Sequence, residues 1–147
     1  MKISTKGRYG LRGMVDLAIH SIDGHVALNA IAERQDISVN YLEQVFSTLR
    51  KAGIVKSVKG SQGGYVLADS PSNLTVGMIL RPLEGQLDLV DDTIHGGSDG
   101  SVQQCLKIHV WDMMTKTVNR IVDETTLEDL VNEYQKMSET TAPIYFI

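Results

Sequence analysis

Four polar side chains recur at helical spacing between residues 40 and 47: Asn40, Glu43, Gln44 and Ser47. Groups of this kind match the edges of DNA bases. Asn and Gln can bond adenine through paired hydrogen bonds, Glu can accept from the amino group of cytosine, and a hydroxyl adapts to either role. Three or four residues apart, they share one helix face. Leu42, Val45, Phe46 and Leu49 have core spacing on the opposite face. A merely solvated face usually mixes Lys with Glu, whereas this one is rich in short amides and hydroxyls, so base reading is favoured. Phosphate contacts need cations and neutral donors. Lys6, Arg8, Arg50 and Lys51 supply the first, and Tyr9, Ser38 and Tyr41 the second. A further group, Lys59-Gly60-Ser61-Gln62-Gly63-Gly64, sets one cation among glycines and small polar residues. It suits a minor groove, with Lys59 toward bases and Ser61 and Gly63 toward the backbone.

Other chemistry finds little support. The histidines His20, His25, His95 and His109 have no zinc spacing. No Ser/His/Asp order, phosphate loop or spaced carboxylate pair stands out, and Asp91-Asp92 reads as a solvated pair. Neither an enzyme nor a metal site is expected.

The elements that must position these groups follow from periodicity. A first helix fits residues 5–21, with Leu11, Met14, Val15, Ala18 and Ile22 as one apolar face; Gly10 and Gly13 would permit close helix packing. A second helix fits residues 28–35 with Leu28, Ile31 and Ala32 inward. Ser38 is a good N-cap for a third helix ending before Gly53. Two β-like runs, 54–58 and 65–67, flank the glycine-rich segment, and Tyr65 is expected to pack beneath it. Helix, helix–turn–helix, then hairpin is the winged helix–turn–helix arrangement.

Beyond Pro71, Thr75 caps a short helix to Leu83, with Pro82 disturbing its end. Residues 85–101 are rich in Gly and Asp and read as a mobile loop. A long helix over 102–124 would span ~35 Å. It carries the stripe Val102, Leu106, Val110, Met113, Val118 and Ile121, with Cys105, Met114 and Val122 beside it. So long an amphipathic helix needs a partner, and a second copy of itself is the simplest. Thr126 caps a last helix over 127–137, and the apolar end Ile144-Tyr145-Phe146-Ile147 is expected to dock back on the protein. The expected fold class is mostly α with a small β-hairpin wing: a DNA-binding domain over 1–70, a linker helix and acidic, glycine-rich loop over 71–101, and dimerisation and C-terminal helices over 102–147.

Bulk properties agree. The 147 residues carry a net charge of −4, but residues 1–67 hold nine Lys/Arg against five Asp/Glu, so the front half is basic and the rest acidic. That asymmetry fits an anionic partner. Nothing approaches the ~18 consecutive apolar residues of a membrane span. Arg12 and Asp16 interrupt any signal-peptide core, which favours the cytoplasm. A single cysteine, Cys105, agrees with a reducing compartment.

Four ordered motifs then carry a resemblance: the opening Met1-Lys2-Ile3-Ser4-Thr5-Lys6-Gly7-Arg8-Tyr9-Gly10, then Ile37-Ser38-Val39-Asn40-Tyr41-Leu42-Glu43-Gln44, Leu49-Arg50-Lys51-Ala52-Gly53 and Gly63-Gly64-Tyr65-Val66-Leu67. Together they resemble the Rrf-two-type regulators, a family that includes IscR, NsrR and CymR. The resemblance implies a homodimer on a palindromic operator, acting as a transcriptional repressor, with the long helices crossing at the interface. It also implies that Asn40, Glu43, Gln44 and Lys59 approach bases. Some members carry Arg at the wing position, and Lys cannot make the same planar fork. Several members hold an iron–sulfur cluster on three close cysteines; here only Cys105 remains and His109 lies one residue off the family position, so no cluster is expected. The opening, the segment Thr125-Thr126-Leu127-Glu128-Asp129-Leu130 and the terminal Tyr145-Phe146-Ile147 look most like the cluster-free CymR type, which implies control of cysteine metabolism and a cysteine synthase as partner protein. The alternatives are a redox or thiol sensor working through Cys105, a cluster protein, and a protein-binding module without DNA recognition.

Overall fold

The computed structural model describes residues 1–90 and 99–141. The chain runs α1 (Thr5–His20), α2 (Leu28–Gln35), α3 (Val39–Lys51), β1 (Val55–Val58), β2 (Gly64–Leu67), α4 (Val76–Glu84), α5 (Val102–Leu106), a π-helical turn (Lys107–Trp111), α6 (Asp112–Glu124) and α7 (Leu127–Thr141). The expected Asp91-Asp92 pair, His95 and the apolar segment 144–147 lie outside the described residues.

Ser4 starts α1 by accepting a hydrogen bond from the Gly7 amide. The buried face of α1 differs from the expected stripe. Met14 and Ala18 are buried as read, but Leu11 and Val15 are only half-buried and Ile22 lies past the helix end, 83% exposed. The innermost side is made of small residues with Met14 and Leu17. A Cβ on Gly13 would lie 2.9 Å from the Phe46 ring, so glycine lets α3 seat its largest core side chain directly on the α1 backbone.

Helix α2 ends at Asp36, whose left-handed backbone (φ 52°) returns its N–H to the Ala32 and Glu33 carbonyls. Ser38 then caps α3 by accepting from Tyr41 N. Leu42, Val45, Phe46 and Leu49 point into the core and are almost wholly buried.

Strands β1 and β2 pair antiparallel, with Val55 opposite Leu67 and Val58 opposite Gly64. Val26 adds a short third edge, exchanging two 2.9 Å backbone hydrogen bonds with Tyr65. Only glycine permits this approach at position 64, where a Cβ would fall 2.2 Å from the Val26 carbonyl oxygen. The Tyr65 ring packs edge-on against Phe46, beneath the wing as expected.

One core crosses residue 70. Leu74, Ile79, Leu83 and Leu127 cluster with the α1–α3 core residues. Backbone bonds from Val76 N to Thr125 O and from Leu127 N to Leu74 O, both 2.9 Å, pin the end of α6 and the start of α7 to the start of α4. Pro82 lies inside α4, which runs one residue past the expected end to Glu84; the proline has no N–H for the Met78 carbonyl and sets its ring against it.

The expected long helix is helical throughout but not α throughout. Across Lys107–Trp111 the bonding widens, and the Asp112 amide reaches the Lys107 carbonyl. Lys107 Nζ lies 3.0 Å from an Asp112 carboxylate oxygen. Residues five apart diverge by roughly 140° on an α-helix of 3.6 residues per turn, so this ion pair belongs to the wider turn. Finally, α7 continues to Thr141, beyond the expected end; Thr126 Oγ1 accepts from Asp129 N while Asp129 accepts from Thr126 N, both at 3.0 Å.

Candidate nucleic-acid interface

The helix–turn–helix presents the α3 polar face to solvent because its other face is consumed by the core. Asn40, Glu43 and Gln44 are exposed and Ser47 is half-buried. Beside the start of α3, a groove of about 780 Å³ runs between helix and wing, bordered by Val39, Glu43, Asn29 and the tip residues Lys59–Gly63. Glu43 and Lys59 therefore flank one concavity, as a helix-plus-wing reader needs. Asn40, Gln44 and Ser47 lie along α3 beyond that groove.

The expected backbone contacts are scattered. Arg50 and Lys51 are exposed at the C-terminal end of α3, and Ser61 is exposed at the wing tip. The Gly63 amide donates to Gly60 O, inside the turn of the tip. Ser38 Oγ is engaged as the cap but remains at the surface. Tyr9 and Tyr41 are half-buried and meet edge to face at 5.9 Å, with the Arg12 guanidinium 5.1 Å over the Tyr9 ring. Lys6 is half-buried. Arg8 is not in the α3–wing groove; it lines a separate concavity between α1 and α7 with Leu11, Val15, Tyr134 and Met137.

Two features escaped the sequence reading. His25 and Asn29 line the α3–wing groove, and His25 bonds the tip at Gln62 O. Beneath the helix–turn–helix, Asp16 is 2% exposed and accepts a fork of hydrogen bonds from Arg34 (2.7–3.2 Å) and one from Gln35 Nε2 (2.9 Å). The carboxylate raises the Arg34 pKa above its usual value. A lone Asp inside an apolar stretch was the available signal.

The chain matches the Rrf2 family, described as "Iron-dependent Transcriptional regulator", over residues 3–133. The chain belongs to the Rrf2 family. Among Rrf2 relatives it is 42% identical over 132 residues to the HTH-type transcriptional regulator CymR of Bacillus subtilis, covering 90% of this chain and 91% of that protein. It is 40% identical to the regulator IscR of Photobacterium profundum, covering 94% and 81%. Solved Rrf2 structures agree. The fold superposes on B. subtilis CymR, titled the global cysteine regulator of that organism, with a TM-score of 0.78 at 41% identity over 90% of this chain and 98% of that one. It superposes on T. potens IscR with a TM-score of 0.75 at 42% identity over 99% and 94%. The fold is thus the winged helix of Rrf2 regulators, and the relatives are named regulators rather than enzymes.

The rest of the expected sites fall on the long helix. Val102, Leu106, Met113, Met114 and Ile121 are exposed, while Val110 and Val118 are half-buried. Cys105 is exposed among them. It is the chain's one thiol, and among the described residues no three His, Cys, Asp or Glu side chains gather as metal ligands. The family description speaks of iron, but this donor set does not fit a cluster, which is held chiefly by thiolates. No helix among the described residues is long and apolar enough to cross a membrane.

Proposed function

We propose that the protein is a sequence-specific DNA-binding transcriptional repressor that binds a palindromic operator as a homodimer in the cytoplasm, without an iron–sulfur cluster. One observation carries the reading: Glu43 on α3 and Lys59 on the wing flank a single groove, with Asn40 and Gln44 exposed along the same helix. In this pose α3 enters the major groove, the wing reaches the neighbouring minor groove, and the intervening sugar–phosphate strand lies between them. Catalysis has no part in it. The likeness to CymR, the global cysteine regulator of B. subtilis, supports cysteine or sulfur metabolism as the regulon; a cysteine synthase, which the family resemblance implies, is the first partner protein to test.

The test is selection of fragmented genomic DNA from the source organism on purified protein, followed by sequencing. Enriched palindromes near sulfur-uptake or cysteine genes support the whole reading. Palindromes elsewhere keep the repressor and replace the regulon, and no enrichment at low salt sinks DNA recognition in favour of a protein-binding module.

A second reading has one observation behind it. Cys105 is exposed on the unpartnered apolar stripe, and a 38%-identical structural neighbour, Staphylococcus aureus CymR, is described in an oxidized form. A thiol sensor at Cys105 predicts operator binding that peroxide weakens in the native protein and leaves intact in Cys105→Ser.

A further inference from the structure

Strands β1 and β2 have four residues each, so the wing has little ladder of its own to fix where its tip points. The Val26–Tyr65 bridge holds the hairpin at the Ser57–Tyr65 pair, one residue pair short of the Val58–Gly64 pair that opens into the tip. The tip, carrying Lys59, begins beyond that bridge. It is closed by a turn in which Gly63 N donates to Gly60 O, with Gly60 at φ 119°. Such a turn sets the local shape of the loop but not its distance from α3. One further bond reaches the tip from outside the hairpin: His25 Nε2–H donates to the Gln62 carbonyl oxygen. Among the described residues, no other side chain from outside the hairpin has a hydrogen bond to residues 59–63. His25 sits next to Val26, so bridge and latch form one continuous clamp along the wing, and both His25 and the tip border the α3–wing groove.

We propose that His25 is a positioning residue for DNA recognition: it latches the wing tip at Gln62 and so sets the separation between Lys59 and the α3 base-reading face. It touches the wing backbone and acts on DNA through Lys59. The inference rests on the DNA-binding reading above and adds to it a residue that neither the base-contact set nor the phosphate-contact set contains. A free tip can still meet DNA, but ordering it then opposes binding, whereas the latched tip is ordered beforehand.

The experiment uses full-length protein and a palindromic duplex enriched by the native protein from a random-sequence library. Affinity is measured for the native chain, His25→Ala, His25→Gln, Lys59→Ala and the His25→Ala/Lys59→Ala double variant, with hydroxyl-radical footprints (minor groove) and dimethyl sulfate footprints at guanine N7 (major groove) of each complex. Losing the latch should weaken binding roughly 3- to 10-fold per half-site, the scale of one hydrogen bond. Gln, which keeps a donor at similar reach, should restore most of it. In the Lys59→Ala background the His25→Ala change should cost less than about 2-fold, because its effect passes through Lys59. The footprint should lose minor-groove protection under the wing and keep the major-groove protection from α3, a split that general unfolding cannot produce. If the native protein selects no sequence, the DNA-binding reading fails and this one falls with it. If the native protein binds but His25→Ala keeps the wing footprint, or its cost is undiminished without Lys59, the latch alone is overturned.

Discussion

Glu43 and Arg34 both occupy the helix–turn–helix and do different work. Glu43 is exposed on the groove that Lys59 also lines and takes no part in the core. Glu43→Ala should therefore leave thermal stability within about 0.5 kcal/mol while changing which base is preferred at its position by ~1–3 kcal/mol. Repeating the library selection on the variant checks this, and an unchanged consensus removes Glu43 from base reading. Arg34 instead satisfies the buried Asp16 carboxylate. Breaking a buried pair costs ~3–5 kcal/mol, but the Arg34 side chain is 35% exposed, and solvent screening reduces this to roughly 2 kcal/mol. Urea unfolding of Arg34→Met should show that loss with little change in sequence preference; a variant as stable as the native chain would make the pair ornamental. The two residues also differ in legibility. Asn40, Glu43, Gln44 and Ser47 were readable because their helical period opposes that of Leu42, Val45 and Phe46. The Asp16–Arg34 pair joins residues 18 apart on two helices, and no spacing rule announces it.

At the scale of elements, local signals with a mechanism were legible and packing outcomes were not. Ser38 and Gly53 bracketed α3, and the glycines around the tip marked the wing, because caps and turns depend on nearby residues. On α1 the close packing expected at Gly13 is what lets Phe46 close in, whereas the apolar period does not tell that Leu11 and Val15 stay half-buried and that Ile22 falls past the helix end. The π-helical turn was invisible because one apolar stripe runs through it. How α6 is fixed was also unreadable. Arg81 of α4 donates to Asp123 at 2.6 and 2.9 Å and to Asn119 at 2.7 Å, holding α6 against α4. These hydrogen bonds from Arg81 hold the Asp123 carboxyl below the usual carboxylate range. A depressed folded pKa contributes stability that is complete above the unfolded value near ~4 and is lost as pH falls through the folded value. The stability difference between the native chain and Asp123→Asn should thus be full at neutral pH and shrink in acid below about pH 4. Both partners are substantially solvent-accessible, so the difference should stay under about 1 kcal/mol. Unfolding measured across the acid range checks this, and a pH-independent difference would remove the ion pair as its source.

The whole molecule leaves one large debt unsettled in the single chain. Val102, Leu106, Trp111, Met113, Met114 and Ile121 are exposed along α5, the π-helical turn and α6, with Val102 at 78% and Ile121 at 57%. Contiguous apolar surface of this kind marks an interaction face. On a helix pinned to α4 by Arg81, a self-complementary contact closes as a two-fold dimer and fixes the distance between two copies of α3. Half-sites one turn of DNA apart, ~34 Å, are what such a pair of readers would occupy. Met113→Glu with Ile121→Glu places charge on both exposed positions without touching the buried core. The double variant should keep its helical circular dichroism, run as a monomer in light scattering, and bind an isolated half-site as the native chain does. On the full palindrome it should lose roughly 10²–10⁴-fold, the gain that linking two sites provides. A variant that remains dimeric would move the interface elsewhere. A monomer that keeps full affinity for the palindrome would show that each wing and recognition helix acts alone, and the operator symmetry would then need another cause.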